Sequence, residues 1–292
     1  MKKPEFIDRN STLRSWSRRF VFGLRNRPDV QLLQLQRKIE VLEGFTGIAA
    51  NSPGWIDAFT GALTPVQFSE VPLARLGSEF DGGYVLPIDL IKDLAGVVSV
   101  GVGDNNEVDI DLANLGLRVH AWDHTVKNLP TTHKNISFHK VGLGHHSADS
   151  SLKTLTEMVE SCFPGDDTDL LLMLDAEGAE WQALADCTDE VLNRFGVIAI
   201  ELHDLGNMIL NPDLQLSVLR KLNSMFVPIA IHANNHSALW KIPGLDLPDA
   251  IEVTYLNRSF MHHDGETGNC PSELNSPCCP DLGEMQISWT DR

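Results

Sequence analysis

From about residue 97 onward, short apolar runs recur along the chain between turn-forming residues: Val97–Gly101, Arg118–Trp122, Ile136–Val141, Leu170–Leu174, Val197–Leu202, Val227–His232 and Ile251–Tyr255. Between them, Asn106–Leu115, Ser151–Ser161, Trp181–Phe195 and Leu214–Met225 repeat apolar residues at helical spacing. Several runs, such as Leu170–Leu174, carry no polar residue at all, as expected of strands buried on both faces. Strands alternating with helices predict an open, doubly wound α/β sheet of seven mostly parallel strands with helices on both faces. The last two runs are joined by Asn234–Pro248, which has no helical pattern. A parallel neighbour needs a longer, usually helical crossover, so the last strand is expected to run antiparallel.

The first 65 residues read differently. Leu32, Leu35, Ile39 and Leu42 form a helical stripe that packs on its own domain or, over residues 30–45, against a second copy of the chain. Residues 14–27 mix arginines with Trp16, Phe20 and Phe22, a candidate contact with an anionic membrane surface. Asn51-Ser52-Pro53-Gly54 is an expected hinge. The expected organisation is an N-terminal helical extension over 1–65 and an α/β domain over 66–292 that ends in a cysteine-bearing tail.

Composition narrows the partners. With 42% apolar and 22% charged residues in 292, the chain can bury a core without disulfides or a structural metal. The net charge is −17, yet residues 1–28 carry +6, leaving −23 on the remainder. Counterion release from phosphates needs clustered positive charge, so a nucleic-acid partner is not expected. No run reaches the ~18–20 apolar residues of a membrane span. The N-terminus lacks the apolar core of a signal peptide. Five scattered cysteines suit a reducing compartment, and a cytoplasmic location is expected.

The chemistry is expected at the carboxyl ends of the strands, where ligands bind in open α/β sheets. The first strand ends in Gly101-Val102-Gly103-Asp104-Asn105 and runs directly into a helix, so backbone can approach a ligand at the helix N-terminus. Asp123, twenty residues beyond Gly103 at the end of the next strand, can accept the ribose hydroxyls of an adenosine cofactor. His124 could lie along the adenine, with Gly142 and Leu143 as the far wall. The fourth strand delivers Asp175, Glu177 and Glu180, the fifth Glu201 and His203, and the sixth His232, Asn234 and Asn235. Such a set is costly to desolvate unless it acts on something. For Glu177 and Glu180 the alternative is an acid favoured by a helix N-terminus, and for His232 a satisfied buried histidine.

These residues resemble the FkbM-type family of class I S-adenosylmethionine-dependent methyltransferases, which methylate hydroxyls on sugars and natural products. The likeness runs in order through Asp81-Gly82-Gly83-Tyr84-Val85, Val98 to Asn105, Asp123, Leu174 to Glu180, Ile200-Glu201-Leu202-His203, His232 to Asn235, and Pro248 to Tyr255. It implies a Rossmann-like class I methyltransferase fold. It also implies S-adenosyl-L-methionine as cofactor, S-adenosyl-L-homocysteine as product, and a saccharide or other small-molecule acceptor. The cofactor contacts implied are Asp81, Gly82, Gly83, Gly101, Gly103, Asp104, Asn105, Asp123 and Asp175, beside His124, Gly142 and Leu143.

Methyl transfer is an in-line displacement that positions the acceptor oxygen and removes its proton. His203 and His232 are the candidate bases, with Asp175 and Glu201 orienting the base or the acceptor. Glu177, Glu180, Asn234 and Asn235 are candidate acceptor contacts. No dedicated metal site is expected, although Asp175 and Glu201, with Asn234 or Asn235, could hold Mg²⁺. His262, His263, Cys270, Cys278 and Cys279 are zinc-ligand types at a spacing that matches no paired Cys signature. Two other readings stand beside the methyltransferase: a nicotinamide-dependent oxidoreductase, disfavoured by the missing third glycine, and a non-catalytic binding module on the same fold.

Overall fold

The computed structural model describes residues 54–145, 151–165, 169–209, 211–261, 265–267, 272–287 and 289; the segments 14–27 and 30–45, and His262, His263 and Cys270, lie outside them. In chain order the elements begin with α1 (Gly54–Ala62), β1 (Val66–Gln67), β2 (Leu73–Gly77), β3 (Gly83–Pro87), α2 (Ile88–Ile91), β4 (Gly96–Val100), α3 (Glu107–Asn114), β5 (Val119–Trp122) and β6 (Ile136–His139). Then come β7 (Gly142–Leu143), β8 (Leu152–Lys153), α4 (Leu155–Cys162), β9 (Leu170–Leu174), α5 (Glu180–Asp186), α6 (Asp189–Leu192), β10 (Phe195–Leu202), α7 (Asp213–Met225) and β11 (Phe226–Ala233). The chain closes through β12 (Leu239–Ile242), β13 (Leu245–Pro248), β14 (Ile251–Asn257) and β15 (Glu266–Thr267).

Seven strands form the central sheet in the order β11-β14-β10-β9-β4-β5-β6. β6, β5, β4, β9 and β10 are successively parallel, and β14 runs antiparallel between β10 and β11. Counting only these strands along the chain, the spatial order is third, second, first, fourth, fifth, seventh, sixth. That order, with the seventh strand reversed, is the class I methyltransferase fold. The reversed strand follows from the connection: the segment between β11 and β14 folds as the β12–β13 hairpin, turned at Pro243-Gly244 with Gly244 at φ +86°.

The central strands β4, β9 and β10 are buried along their whole length, because both faces are covered. On one face Val97, Leu171, Met173, Val197 and Ala199 pack with Val108 and Leu112 of α3 and with Tyr84 and Leu86 of β3. On the other, Phe163 at the end of α4 lies where a side chain on Gly96 would collide with its ring. The β2–β3 hairpin was not foreseen in the apolar pattern. Its turn is clamped by Arg75, whose guanidinium donates to the carbonyls of Ser78 and Phe80.

Two boundaries differ from expectation. The single helix expected over Trp181–Phe195 is divided, because Cys187 is extended and Thr188 restarts the helix by accepting from the Val191 amide. Helix α1, placed with the N-terminal extension by its position in sequence, packs on the α/β unit instead. Asn223 of α7 donates to the Ala62 carbonyl at 2.9 Å, and Phe59 meets the Trp289 ring at 5.5 Å. Among the described residues no helix is long and apolar enough to cross a membrane.

Candidate active site

Strand register places the site. Val100 is level with Trp122 and Leu174, and Leu174 with Ile200. The next residue on each strand is therefore Gly101, Asp123, Asp175 or Glu201. Glu201 pairs with Glu252 on β14, and Glu252 with His232 on β11. One row across the carboxyl edge of the parallel strands thus reads Asp123, Gly101, Asp175, Glu201, Glu252, His232.

At the β4–β5 end of the row, Gly101 (φ +87°) lies so close to β9 that a Cβ there would sit 1.5 Å from the Asp175 carbonyl oxygen. No other residue fits this approach. Gly103 (φ +61°) turns the loop, and its N–H donates to Asp123 Oδ2 at 2.7 Å. Asp123 Oδ1 accepts from the Thr125 amide and hydroxyl, both at 2.6 Å, so the buried carboxylate is held by both loops. Oδ2 takes one donor in the structure and retains acceptor capacity. The space that a Gly103 side chain would occupy is open. Asn105 donates to the Asp81 carbonyl at 3.0 Å and its amide lies against Gly82, which brings the Asp81-Gly82-Gly83 turn onto the glycine loop. Asp104 is exposed at the rim. Exposed His124 has its ring against Gly142, where a Cβ would meet Nδ1 at 2.3 Å, and Leu143 is buried beside it.

At the β9–β10 end, His203 is the hub. Its Nδ1 lies 3.0 Å from Glu180 Oε1, and its Nε2 faces Glu201, Asp175 and Glu177 at 3.5, 3.7 and 3.8 Å. Nε2 is buried and makes no hydrogen bond. Burial opposes protonation of this ring, but the charges of Glu201, Glu180 and Asp175, with the Glu180 hydrogen bond, outweigh it and hold His203 well above its ordinary value of 6.5. The surrounding carboxylates thus favour the protonated ring.

Glu180 is fully buried and braces the loop: Oε1 accepts from the Ala176 amide and Oε2 from the Gly178 amide. Its carboxylate thereby serves both the loop ahead of α5 and His203, rather than facing open space. Glu177 stands at the lip of the site, 62% exposed, on a backbone at φ +53° that a non-glycine residue rarely adopts. The adjacent Gly178, at φ +100°, makes that turn feasible.

The β11 end closes the site. His232 is buried with Nδ1 3.0 Å from Glu252 and Nε2 2.7 Å from Glu284 of the C-terminal tail, so both nitrogens have carboxylate partners. Burial lowers its proton affinity, and the two glutamates more than restore it. Asn234 donates to Glu201 at 2.6 Å and accepts from the His236 amide. Asn235 donates to the carbonyls of Cys279, Leu282 and Gly283 and accepts from the Cys279 amide. These two amides, expected to contact the acceptor, orient a carboxylate and anchor the tail respectively.

Tyr84, Glu252 and Glu284 belong to this cluster and were not singled out as site residues. Tyr84 is buried, and burial followed by the charges of Asp175, Glu201, Glu252 and Asp81 pushes its phenol well above 10.0. The pairing of Glu252 with Glu201 is a register property, and Glu284 reaches the site from the tail; neither leaves a local sequence signal.

No protein-family model matches the chain, and no curated protein matches it. Among solved structures it is similar to an rRNA methylase from Streptococcus thermophilus and to a protein from Clostridium thermocellum assigned as an rRNA methylase. Each is 15% identical with a TM-score of 0.34, and each match covers 58% of this chain and 92% of the other. The fold assignment rests on strand order and direction.

Proposed function

We propose that the protein is an S-adenosylmethionine-dependent O-methyltransferase of FkbM type, acting on a hydroxyl of a saccharide or of a glycosylated or other natural-product metabolite. The observation that carries this reading is the bond from the Gly103 amide to the buried Asp123 carboxylate. It sets a ribose-type acid beside a glycine turn, in a sheet whose seventh strand is reversed. The reversed strand also counts against the nicotinamide-dependent alternative.

S-Adenosylmethionine would supply an electrophilic methyl group. Asp123 Oδ2 and the open side of Gly103 fit its ribose and backbone-facing edge, and His124 with Gly142 borders the adenine position. Asp175 follows Gly101 across the row and faces the transfer point. Asp175, Glu177 and Glu201 accept from neighbouring hydroxyls of the acceptor, and His203 Nε2 takes the proton of the reacting hydroxyl, with Nδ1 oriented by Glu180. His203 becomes a base when another positive charge, such as a sulfonium, shares the surrounding carboxylates, because that charge opposes imidazolium formation. His232, with both nitrogens engaged, acts as a brace for the tail.

Mg²⁺ suits the same carboxylates by donor chemistry: Asp175, Glu177 and His203 ligand atoms lie within 4.8 Å of one another, and hard oxygen donors predominate. Of the two acids expected to hold it, Asp175 is in that group and Glu201 is not, so Asp175 and Glu177 would hold the ion, which would acidify a bound hydroxyl. The direct test is to incubate the protein with methyl-labelled cofactor and a panel of neutral and amino sugars and glycosides. Label in a product with a new methyl ether supports the reading. Label in none of them, with the cofactor bound, removes the saccharide acceptor from it.

A further inference from the structure

A second cluster of chemistry-bearing side chains lies across β5, β6 and α4, apart from the row of strand-end acids. His120 and Trp122 share one face of β5, His139 is the register partner of Trp122 on β6, and Cys162 is the last residue of α4. His120 Nδ1 and His139 Nε2 are hydrogen-bonded to each other at 3.0 Å, sharing a proton that a bound dication would displace, and a ligand atom of each imidazole lies within 4.8 Å of the Cys162 sulfur. We propose that His120, His139 and Cys162 bind a transition-metal dication of zinc type, which ties edge strand β6 and the end of α4 to β5.

The donor set decides the class of ion. Two imidazoles and a thiol suit Zn²⁺ or Co²⁺ and not the hard Mg²⁺ or Ca²⁺. With Zn–N bonds near 2.0–2.1 Å, tetrahedral geometry separates two ligand nitrogens by roughly 3.3 Å, close to the spacing present here. Ligation by Cys162 needs its sulfur to close to roughly 3.5 Å from each nitrogen, a side-chain adjustment at a helix end.

The imidazoles are held in place before any ion arrives. His139 is stacked between Trp122, at 4.0 Å and 15°, and His120, at 5.3 Å and 17°. His120 in turn meets the edge of Phe163 at 5.2 Å. Lys153, with Nζ 5.5 Å from the Trp122 ring centre, sets a positive charge beside the cluster. Three protein ligands leave a fourth position for water.

The buried trio His232, Glu252 and Cys278 also gathers ligand types. There His232 is already bonded on both nitrogens, and the test separates the two clusters.

The experiment is titration of the full-length, metal-stripped protein with Co²⁺, followed by displacement with Zn²⁺, read as thiolate-to-cobalt charge-transfer absorption. The expected result is a band that saturates at one equivalent, is bleached by Zn²⁺, and is lost in Cys162→Ser and His139→Gln. It persists in Cys270→Ser, Cys278→Ser and Asp175→Asn. Absence of a band in the wild type, or a band that survives Cys162→Ser, overturns the proposal, as does loss in Cys278→Ser or Cys270→Ser instead. Should Cys162→Ser fail to fold, the wild-type melting temperature decides: a rise with Zn²⁺ that His120→Gln abolishes and Mg²⁺ does not reproduce supports the site. No rise with Zn²⁺ overturns it.

Discussion

Glu201 and Glu252 are direct partners across the antiparallel pair β10–β14, two buried acids on one face of the sheet. Like charges placed opposite each other destabilise a sheet, and the two histidines of the site answer this. His203 lies 3.5 Å from Glu201, and His232 lies 3.0 Å from Glu252. One histidine keeps an unbonded nitrogen toward the carboxylates of the cleft and the other does not. That asymmetry separates their roles.

His203→Ala should lower kcat by about 10²–10⁴-fold, the usual worth of a positioned acid–base group, while S-adenosylhomocysteine affinity stays within a few-fold of wild type. Single-turnover rates and calorimetry on the same preparation check both parts. Wild-type turnover in this variant removes the histidine base.

The same ring sets a pH dependence. Accepting a proton requires neutral His203, whose pKa is held well above 6.5 by Glu201, Glu180 and Asp175 despite burial. The log of kcat/KM should therefore climb with pH through an apparent pKa above 6.5, and His203→Gln should flatten that limb. Stability moves oppositely: the contribution of the imidazolium is complete below 6.5 and disappears as pH rises through the folded-state pKa.

Much of this was legible in the sequence, and the reasons it was are specific. β9 was readable because five consecutive apolar residues end at one acid, Asp175. The glycine turn was readable because close backbone approach demands glycine at a fixed strand end, and the position of Asp123 because it directly follows β5. The reversed seventh strand was readable from a connection without a helix. What was not legible depends on register and on distant chain. Glu252 becomes a site residue by facing Glu201, and Asn235 turns toward a tail 44 residues away. The roles of Glu180 and His232 follow from which atoms reach them first, which spacing does not encode.

The tail should be detachable from cofactor binding. Glu284 is one-third exposed and bonds His232, so Glu284→Ala should cost about 1–2 kcal/mol of stability, a charge-assisted hydrogen bond discounted for solvent. The loss is expected below the raised pKa of His232 and should fade above it, since the deprotonated ring has less to lose. Urea melts at several pH values measure it, and S-adenosylhomocysteine affinity should be unchanged.

Asp109 is a carboxyl buried in α3 beneath the glycine loop, where burial, partly offset by a hydrogen bond from Ser99, pushes its pKa up from 3.8 to about 6. Its favourable contribution is complete below 3.8 and is lost as pH rises through about 6, so at pH 8 it opposes folding. Asp109→Asn should then stabilise the protein by on the order of 2–3 kcal/mol at pH 8, at 1.36 kcal/mol per unit, and by little at pH 4. Equal effects at both pH values would show that packing, not ionisation, dominates there.

The central claim is that an adenosyl cofactor binds where Asp123 meets the Gly103 amide. It is tested most directly by calorimetric titration of wild type and Asp123→Ala with S-adenosylhomocysteine and with NAD⁺. The account predicts stoichiometric binding of S-adenosylhomocysteine to wild type, a loss of at least tenfold in affinity in Asp123→Ala, and no binding of NAD⁺. Binding of NAD⁺ alone, or S-adenosylhomocysteine affinity indifferent to Asp123, would contradict it.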